Sequence, residues 1–256
     1  MVVGVAPGSV GRPLLRIVGW NIRAGGGRRV DRIARAVAAW HADVVVLSEF
    51  RGTPPSRNLA ALLRDQGLPF QRTTADPQSP ALNALLIASA WPLQDTSPIA
   101  TGPQEPARWL PVEVTSPEPF LLAGMHIPNR VSGRKYPFLT GALRQAELWK
   151  DGRAILMGDT NSGKPHIDEE SPAFNHIEGG WIESLEELGW RDAYRQHAGH
   201  RRAYTWYSPN GNNGFRLDQA FLSPSVSALL RRATHRWGGG SRRAGVSDHA
   251  AVIVDL

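Results

Sequence analysis

Eight polar residues lie at the ends of apolar stretches, where a buried side chain would be expected. They are Asn21, Glu49, His126, Asp159, Asn161, Asp218, Asp248 and His249. A carboxylate in such a place costs free energy unless it is paired, hydrogen-bonded or bound to a metal. Because the chain has no cysteine, only oxygen and imidazole ligands are available, and oxygen ligands favour magnesium, calcium or manganese. The set therefore predicts a site for a divalent cation.

Each of these residues also has a purely structural interpretation. Glu49 is explained as a strand-end cap, Asp159 with Asn161 as an Asx turn, and a single histidine as a satisfied core or surface residue. Their joint setting favours chemistry, since two of them are two residues apart after one strand and the Ser-Asp-His sequence at 247–249 directly precedes the last apolar run. The remaining histidines have no such setting and are predicted to lie on the surface: His41, His166, His176, His197, His200 and His235.

The elements that must position these residues follow from hydrophobic periodicity and from Gly and Pro punctuation. Strands are predicted at residues 14–22, 43–50, 84–89, 109–115, 120–126, 154–157, 204–208, 215–223 and 250–255. Helices are predicted at residues 30–40, 59–63, 137–150 and 181–188, with a polar loop at 163–180. The expected fold is α+β, a four-layer α/β/β/α sandwich in which two mainly antiparallel sheets pack face to face with helices outside.

Composition limits the class of protein. With 256 residues, 41% hydrophobic and 20% charged, the chain excludes disorder, collagen and a membrane bundle. No stretch approaches the roughly 20 apolar residues of a membrane span, so we expect a soluble, cytoplasmic monomer. We predict one domain over residues 1–256, with residues 1–12 as a flexible extension. Lys and Arg outnumber Asp and Glu by 29 to 23 and only three cations are lysines, which suits a polyanionic partner.

Six short motifs occur in a fixed order along the chain. They are Trp20-Asn21-Ile22, Leu47-Ser48-Glu49, His126-Ile127-Pro128-Asn129, Gly158-Asp159-Thr160-Asn161, Arg216-Leu217-Asp218 and Ser247-Asp248-His249. This ordered set resembles the endonuclease/exonuclease/phosphatase superfamily, the deoxyribonuclease I-like fold. The resemblance implies a two-sheet sandwich with its active site at one edge and phosphoester hydrolysis assisted by Mg²⁺, for which Mn²⁺ may substitute.

The resemblance also implies a metal site. Glu49 corresponds to the principal metal ligand, and Asn21 and Asp248 lie close to the metal. Asn21 and Asn161 correspond to residues that hydrogen-bond the phosphate.

The same resemblance implies which residues act as the general base and which stabilise the charge that develops on the phosphate. Asp159 corresponds to the residue that orients and deprotonates the attacking water. Asp218 and His249 correspond to a carboxylate–histidine pair, in which the carboxylate fixes the ring and the ring donates to a nonbridging oxygen. His126 belongs to the same catalytic set.

Within the superfamily, residues 191–195, 204–207 and 212–218 most resemble the exonuclease III and abasic-site endonuclease branch. Trp206 and Phe215 would then line a pocket for a base-less sugar, although packing in the core explains them equally. Two departures stand against abasic-site specificity. His126 replaces the usual tyrosine of that branch, and Arg23 replaces an acidic residue.

Four further residues are candidate substrate contacts: Asn129, Arg23, Arg130 and Arg134. Together with the arginine pairs elsewhere in the chain they predict contact with a DNA backbone, the alternative being solvated loop charges. The leading hypothesis is a metal-dependent nuclease that cleaves phosphodiester bonds in DNA. Its alternatives are a phosphatase or phosphodiesterase for a small-molecule or lipid head-group phosphoester, and a noncatalytic binding module on the same fold.

Overall fold

The computed structural model describes residues 15–96 and 102–256. The extension predicted at residues 1–12 lies outside the described residues. Within the described ranges, none of the helices has the length and apolarity needed to cross a bilayer.

The first sheet has six strands in the order β13-β14-β1-β2-β4-β3. Its bounds are β1 (Arg16–Asn21), β2 (Val44–Phe50), β3 (Phe70–Thr73), β4 (Ala84–Ser89), β13 (Arg232–Arg236) and β14 (Ala251–Asp255). Only β1 and β2 pair in parallel, and the other neighbouring strands are antiparallel.

The second sheet also has six strands, in the order β5-β6-β7-β8-β12-β9. Its bounds are β5 (Leu93–Asp95), β6 (Trp109–Val114), β7 (Phe120–His126), β8 (Ala154–Asp159), β9 (Arg191–Asp192) and β12 (Asp218–Leu222). Here β7 and β8 form the one parallel pair. A short antiparallel pair, β10 (Trp206–Tyr207) and β11 (Gly214–Phe215), stands apart from both sheets.

In the described part of the chain, six α-helices accompany the sheets. They are α1 (Val30–Trp40), α2 (Pro54–Asp65), α3 (Lys135–Trp149), α4 (His176–Glu187), α5 (Ala193–Ala198) and α6 (Pro224–Ser227). Apolar residues of α1 and α2 pack on the outer face of the first sheet, as Ile33 and Leu59 do. Those of α3 and α4, such as Phe138 and Trp181, pack on the outer face of the second sheet.

A third apolar cluster lies between the sheets and contains residues of both, among them Ile17, Val46, Leu122 and Met157. The three clusters separate four layers, so the predicted α/β/β/α sandwich with mainly antiparallel sheets is confirmed. Burial of alternate strand residues on the two faces of each sheet provides most of its hydrophobic stabilisation.

Several predicted bounds are wrong, each for a local reason. The helix predicted from residue 181 begins at His176, because Asn175 caps it and Glu178 returns a hydrogen bond to the cap. The helix predicted from residue 59 begins at Pro54, which is acceptable in a first turn since no helical donor is lost there. The strand predicted at 215–223 is interrupted between β11 and β12, where Arg216 turns into a buried ion network.

One of the six histidines predicted to lie on the surface, His235, is not exposed. His235 lies on β13 with both ring nitrogens buried and without a hydrogen-bond partner among the described residues. Its ring stacks on Tyr194 with centroids 4.4 Å apart. Burial, with Arg216 and Arg195 nearby, lowers the pKa of His235 to about 3. The other five histidines are exposed, as predicted.

Candidate active site

Strand pairing brings the predicted residues to one edge of the sandwich. Asn21 ends β1 beside Ser48 of the parallel strand β2. His126 ends β7 directly beside Asp159, the last residue of β8. Asp159 is also opposite Asp218, the first residue of β12. Because the carboxyl ends of parallel neighbours meet at the same edge, both sheets contribute polar groups to one place.

Unusual backbone conformations shape this edge. Gly158 has φ +149, and a Cβ there would collide with the carbonyl oxygen of Met125 on β7, so only glycine allows the strands to approach. Glu49 (φ 57) lies at a register shift in β2, and Asn161 has φ 45. Left-handed conformations of non-glycine residues are uncommon and concentrate at functional sites. Both residues are turned toward the cavity by this departure from regular strand geometry.

Asn21 links the two acidic groups at the centre. Its side-chain Nδ2 donates to Asp159 Oδ2 at 2.8 Å and to Glu49 Oε1 at 3.3 Å. The Asn21 Oδ1 accepts from the backbone N–H of Arg23 at 2.9 Å. The second oxygen of Glu49 accepts from the backbone N–H of Ala24 at 2.7 Å. Asn21 therefore orients both carboxylates.

Asp159 is held from a second side by Asn161. The Asn161 backbone N–H donates to Asp159 Oδ1 at 2.9 Å, and the Asn161 side chain donates to the carbonyl of Ile127 at 2.8 Å. Burial raises the pKa of Asp159. A buried carboxylate with a raised pKa and a fixed orientation is suited to accept a proton near neutral pH.

His249 and Asp218 form a buried pair, with His249 Nδ1 2.9 Å from Asp218 Oδ2. Burial by itself would lower the pKa of His249, but the Asp218 carboxylate and its hydrogen bond outweigh it and raise that pKa to about 10. The His249 backbone is fixed by Trp20, whose indole N–H donates to the His249 carbonyl at 2.9 Å. The ring is therefore an oriented cation at neutral pH.

His126 carries no charge at neutral pH. Burial lowers its pKa to about 4, although the Asp159 carboxylate, 3.7 Å away from Nε2, acts in the opposite direction. Its backbone N–H donates to the carbonyl of Arg108 at 2.9 Å. The two histidines of the site thus differ in charge because only His249 has a close carboxylate partner.

These groups line a cavity of about 460 Å³. Of the predicted site residues, nine line it: Glu49, His126, Asn129, Arg134, Asp159, Asn161, Trp206, Asp248 and His249. Asn21 and Asp218 lie behind this wall and hold the residues that do line it.

Three predicted contacts lie elsewhere. Arg23 is outside the cavity lining and pairs with Asp248, with Nε 3.7 Å from Oδ2. Arg130 turns toward α4, where it pairs with Glu178 and donates to the carbonyl of Ala173. Phe215 is buried behind Trp206, with ring centroids 5.9 Å apart, because β10 and β11 pair these two residues. Phe215 therefore packs against Trp206, and of these two aromatic residues Trp206 is the one that lines the cavity.

The sequence interpretation did not identify three residues that line the cavity outside the six motifs: Asn83, Arg108 and Ser132. Lys135 follows the histidine motif, where a contact with a nucleic-acid backbone or a solvated loop charge is expected. It is instead buried, and its ammonium donates to the carbonyl of Asn161 and to Glu178. No local pattern around Lys135 indicates burial, because its partners Asn161 and Glu178 are distant in the sequence.

The donor chemistry of the cavity fits a magnesium ion. Within residues 15–96 and 102–256, no three His, Asp or Glu side chains cluster closely enough to hold a metal by themselves. Magnesium, however, characteristically takes one or two carboxylates and completes its shell with water and phosphate oxygens. Glu49 and Asp248 provide two carboxylates on one cavity wall. Asn21, whose amide nitrogen faces Glu49, orients that ligand.

The fold and the site together define the class of this protein, a phosphoester hydrolase. The chain belongs to the Endonuclease/Exonuclease/phosphatase family, whose model matches residues 18–249. The resemblance seen in the six motifs is therefore confirmed. No curated protein sequence matches the chain.

Three solved structures share the fold. A 3′-5′ exonuclease (NExo) from Neisseria meningitidis has a TM-score of 0.75 and 22% identity, covering 94% of this chain and 99% of its own. A 3′ phosphatase NExo variant from Neisseria bound to a product DNA hairpin has a TM-score of 0.73 and 21% identity, with coverage of 94% and 99%. An AP endonuclease from Archaeoglobus fulgidus has a TM-score of 0.76 and 19% identity, with coverage of 94% and 98%. At these identities the likeness is one of fold.

Proposed function

We propose that this protein is a divalent-metal-dependent nuclease that cleaves phosphodiester bonds in DNA by in-line attack of an activated water. One observation carries the proposal: a buried carboxylate suited to accept a proton, Asp159, and an oriented imidazolium, His249, face the same cavity. Hydrolysis of a phosphoester requires a base on the attacking side and positive charge where the five-coordinate phosphorus accumulates negative charge.

The residues divide this work between them. Asp159 accepts the proton of the attacking water, held in position by Asn21 and by the backbone of Asn161. The Nε2–H of His249 donates to a nonbridging phosphate oxygen while Asp218 fixes the other ring nitrogen. Since this donor is in place before reaction, little reorganisation is needed in the transition state. Neutral His126 provides a further donor beside Asp159.

Glu49 and Asp248 would hold the divalent cation, Mg²⁺ or in its place Mn²⁺. When bound, the ion supplies positive charge to the phosphate and to the departing oxygen.

DNA is the substrate that the cavity wall supports best. Arg108 and Arg134 line the cavity together with Asn83 and Asn129 and offer guanidinium and amide donors to a phosphate. Arg134 also pairs with Glu105, with Nη1 3.0 Å from Oε2. Trp206 lies on the side of His249, with ring centroids 6.3 Å apart, and presents an aromatic face to a sugar or base. Two of the solved structures of this fold are named as an exonuclease and an AP endonuclease, and a third is bound to a DNA hairpin.

The proposal is tested with labelled duplex DNA, one form intact and one containing a single abasic site, incubated with Mg²⁺ or with chelator. We expect cleavage only with the metal. Asp159→Asn should lower the rate by at least about 10²-fold because the base is lost while the shape is kept. The matched control is Asp65→Asn, the same substitution at an exposed position on α2, which should leave the rate unchanged.

Cleavage that persists in Asp159→Asn would overturn the assignment of the base. Preference for the abasic strand would place the enzyme in DNA repair despite His126. If neither DNA form is cleaved and a soluble phosphomonoester or a lipid head-group phosphodiester is hydrolysed, the nuclease hypothesis is wrong. The alternative hypothesis, a hydrolase for small phosphoesters, would then replace it.

A further inference from the structure

A second arginine-rich surface lies on the outer face of the first sheet. The edge strand β13 alternates, with Ala233 packed in the core between the sheets and Arg232, Thr234 and Arg236 on the opposite face. That opposite face is open enough to form one side of a groove. Its other side is α1, which packs over the centre of the sheet.

The groove consists of two adjoining clefts of about 250 and 300 Å³ that share Ala39 and Trp40 of α1. On the helix side Arg32 and Arg35 border it, about one turn apart. On the strand side Arg232 and Arg236 border it, and four residues of strand separate them by about 13 Å. The alanines of α1 between these two arginine rows leave room for a ligand.

The charges of this groove are not balanced. Of the residues that the structure describes, Asp255 is the only acidic one that lines the groove, and both of its carboxylate oxygens accept from Arg16, at 2.6 and 2.9 Å. Among the described residues, the guanidinium groups of Arg35, Arg232 and Arg236 have no hydrogen-bond or ion-pair partner. Arginines held close together without acidic partners attract an anion whose charges are spaced like the arginines.

The groove is separate from the candidate active site. Arg16 starts β1 and Asn21 ends it, so about 17 Å of strand lies between the groove and the central carboxylates. Within residues 15–96 and 102–256, no residue lines both the groove and the candidate active-site cavity.

We propose that this groove binds a single-stranded segment of nucleic acid, with its phosphates between the two arginine rows and a base against Trp40. Arginine forks suit phosphate oxygens, and an aromatic face accepts any base. Trp40 is partly exposed and its ring is fixed by an edge contact with Trp20, with centroids 4.9 Å apart. The bases of a duplex are stacked on one another and paired, so contact of a base face with Trp40 favours a single strand.

The test is fluorescence anisotropy of a labelled oligothymidylate with the full chain in chelator, so that nothing is cut. The double variant R232Q/R236Q should bind at least about tenfold more weakly, and its plot of log affinity against log salt should be shallower by about 1.4, or 0.7 per lost phosphate contact. Arg35→Gln, from the opposite side of the groove, should shift both quantities in the same direction. The charge-matched control is R64Q/R191Q, which removes two exposed arginines outside the groove.

Unchanged affinity and salt slope in R232Q/R236Q would overturn the proposal, and so would an equal loss in the control variant. A larger loss for duplex than for single strand would refute the single-strand assignment. Metal-dependent cleavage of a short duplex should be unaffected by R232Q/R236Q. Because binding is measured without turnover, failure of this proposal and failure of the proposed nuclease activity are distinguishable.

Discussion

At the scale of single residues, the charge of His249 depends on one buried neighbour. Burial favours the neutral ring, whereas the Asp218 carboxylate at 2.9 Å favours the imidazolium and raises the pKa of His249 to about 10. His126, buried at the same edge without so close a carboxylate, has a pKa of about 4. Two histidines of one cavity are thus set to opposite protonation states by their partners.

This difference predicts a pH effect. If protonated His249 is the active form, kcat falls as the pH rises through its pKa. Asp218→Asn removes the charge that raises this pKa, so the fall in kcat should move to lower pH. The measurement is the pH profile of kcat for wild type and variant. An alkaline limb at the same pH in both would show that this pair does not control it, and His249→Asn should remove the limb and lower kcat by about 10²–10³-fold.

At the scale of secondary-structure elements, a buried ion pair connects two helices to the catalytic loop. Lys135, the first residue of α3, donates to Glu178 in the first turn of α4 and to the carbonyl of Asn161. Glu178 also accepts from the backbone N–H of Asn175, which caps α4. Asn161 has a left-handed backbone, which this donor helps to hold. The pair therefore stabilises the loop that orients Asp159.

We expect Lys135→Met to lower the free energy of unfolding by about 3–5 kcal/mol, because it leaves the Glu178 charge buried with one partner fewer. The double variant Lys135→Met/Glu178→Leu should recover part of this loss, since both charges are gone. Urea unfolding of the single and double variants measures the difference. Equal destabilisation by the single and the double variant would refute the buried-charge explanation.

The inward face of β13 contributes a second effect at this scale. Neutral His235 packs against Tyr194 of α5, and its pKa is lowered from 6.5 to about 3. A lowered pKa means that the unfolded chain binds this proton more readily than the folded protein. Stability is therefore lost as the pH falls from about 6.5 toward 3, and is fully present above 6.5.

His235→Phe keeps a ring on Tyr194 and cannot titrate. Its Tm should fall less than the wild-type Tm between neutral pH and about pH 5. His166→Phe, at an exposed position, is the matched control and should follow wild type. Identical acid sensitivity in all three proteins would assign the effect to other groups.

At the scale of the whole molecule, the formal net charge of +6 acts together with the arginines at the cavity. Phosphate contacts release counterions, so kcat/KM on DNA should fall steeply between low and moderate salt. Arg108→Gln should make this dependence shallower by about one contact. The measurement is initial cleavage rate against salt concentration. A flat response in wild type would favour a small phosphoester substrate over DNA.

Sequence patterns predicted the inner strands of both sheets, the layered architecture and the family, but none of the edge strands β3, β5, β9 and β13. Short apolar runs rich in branched residues, such as residues 43–50 and 154–157, are typical of buried strands, and polar residues of the motifs lie at their ends. Nine of the fourteen predicted site residues line the cavity. His126 and Asp159 are there because parallel pairing brings the ends of β7 and β8 together, and others follow in the loops after these ends. The roles assigned to them stay predictions until the variants are measured.

Contacts between distant segments determine which of the other candidate residues reach the cavity. Phe215 and Arg130 point away from the cavity, while Arg108 and Asn83 join it, and no local pattern distinguishes these cases. In β13, His235 is packed against α5 on one face and the arginines are exposed on the other, because only the first face is covered by another element. Periodicity determines which residues share a face of a strand. Which element packs on that face depends on contacts between distant segments, and so does the protonation state of each buried group.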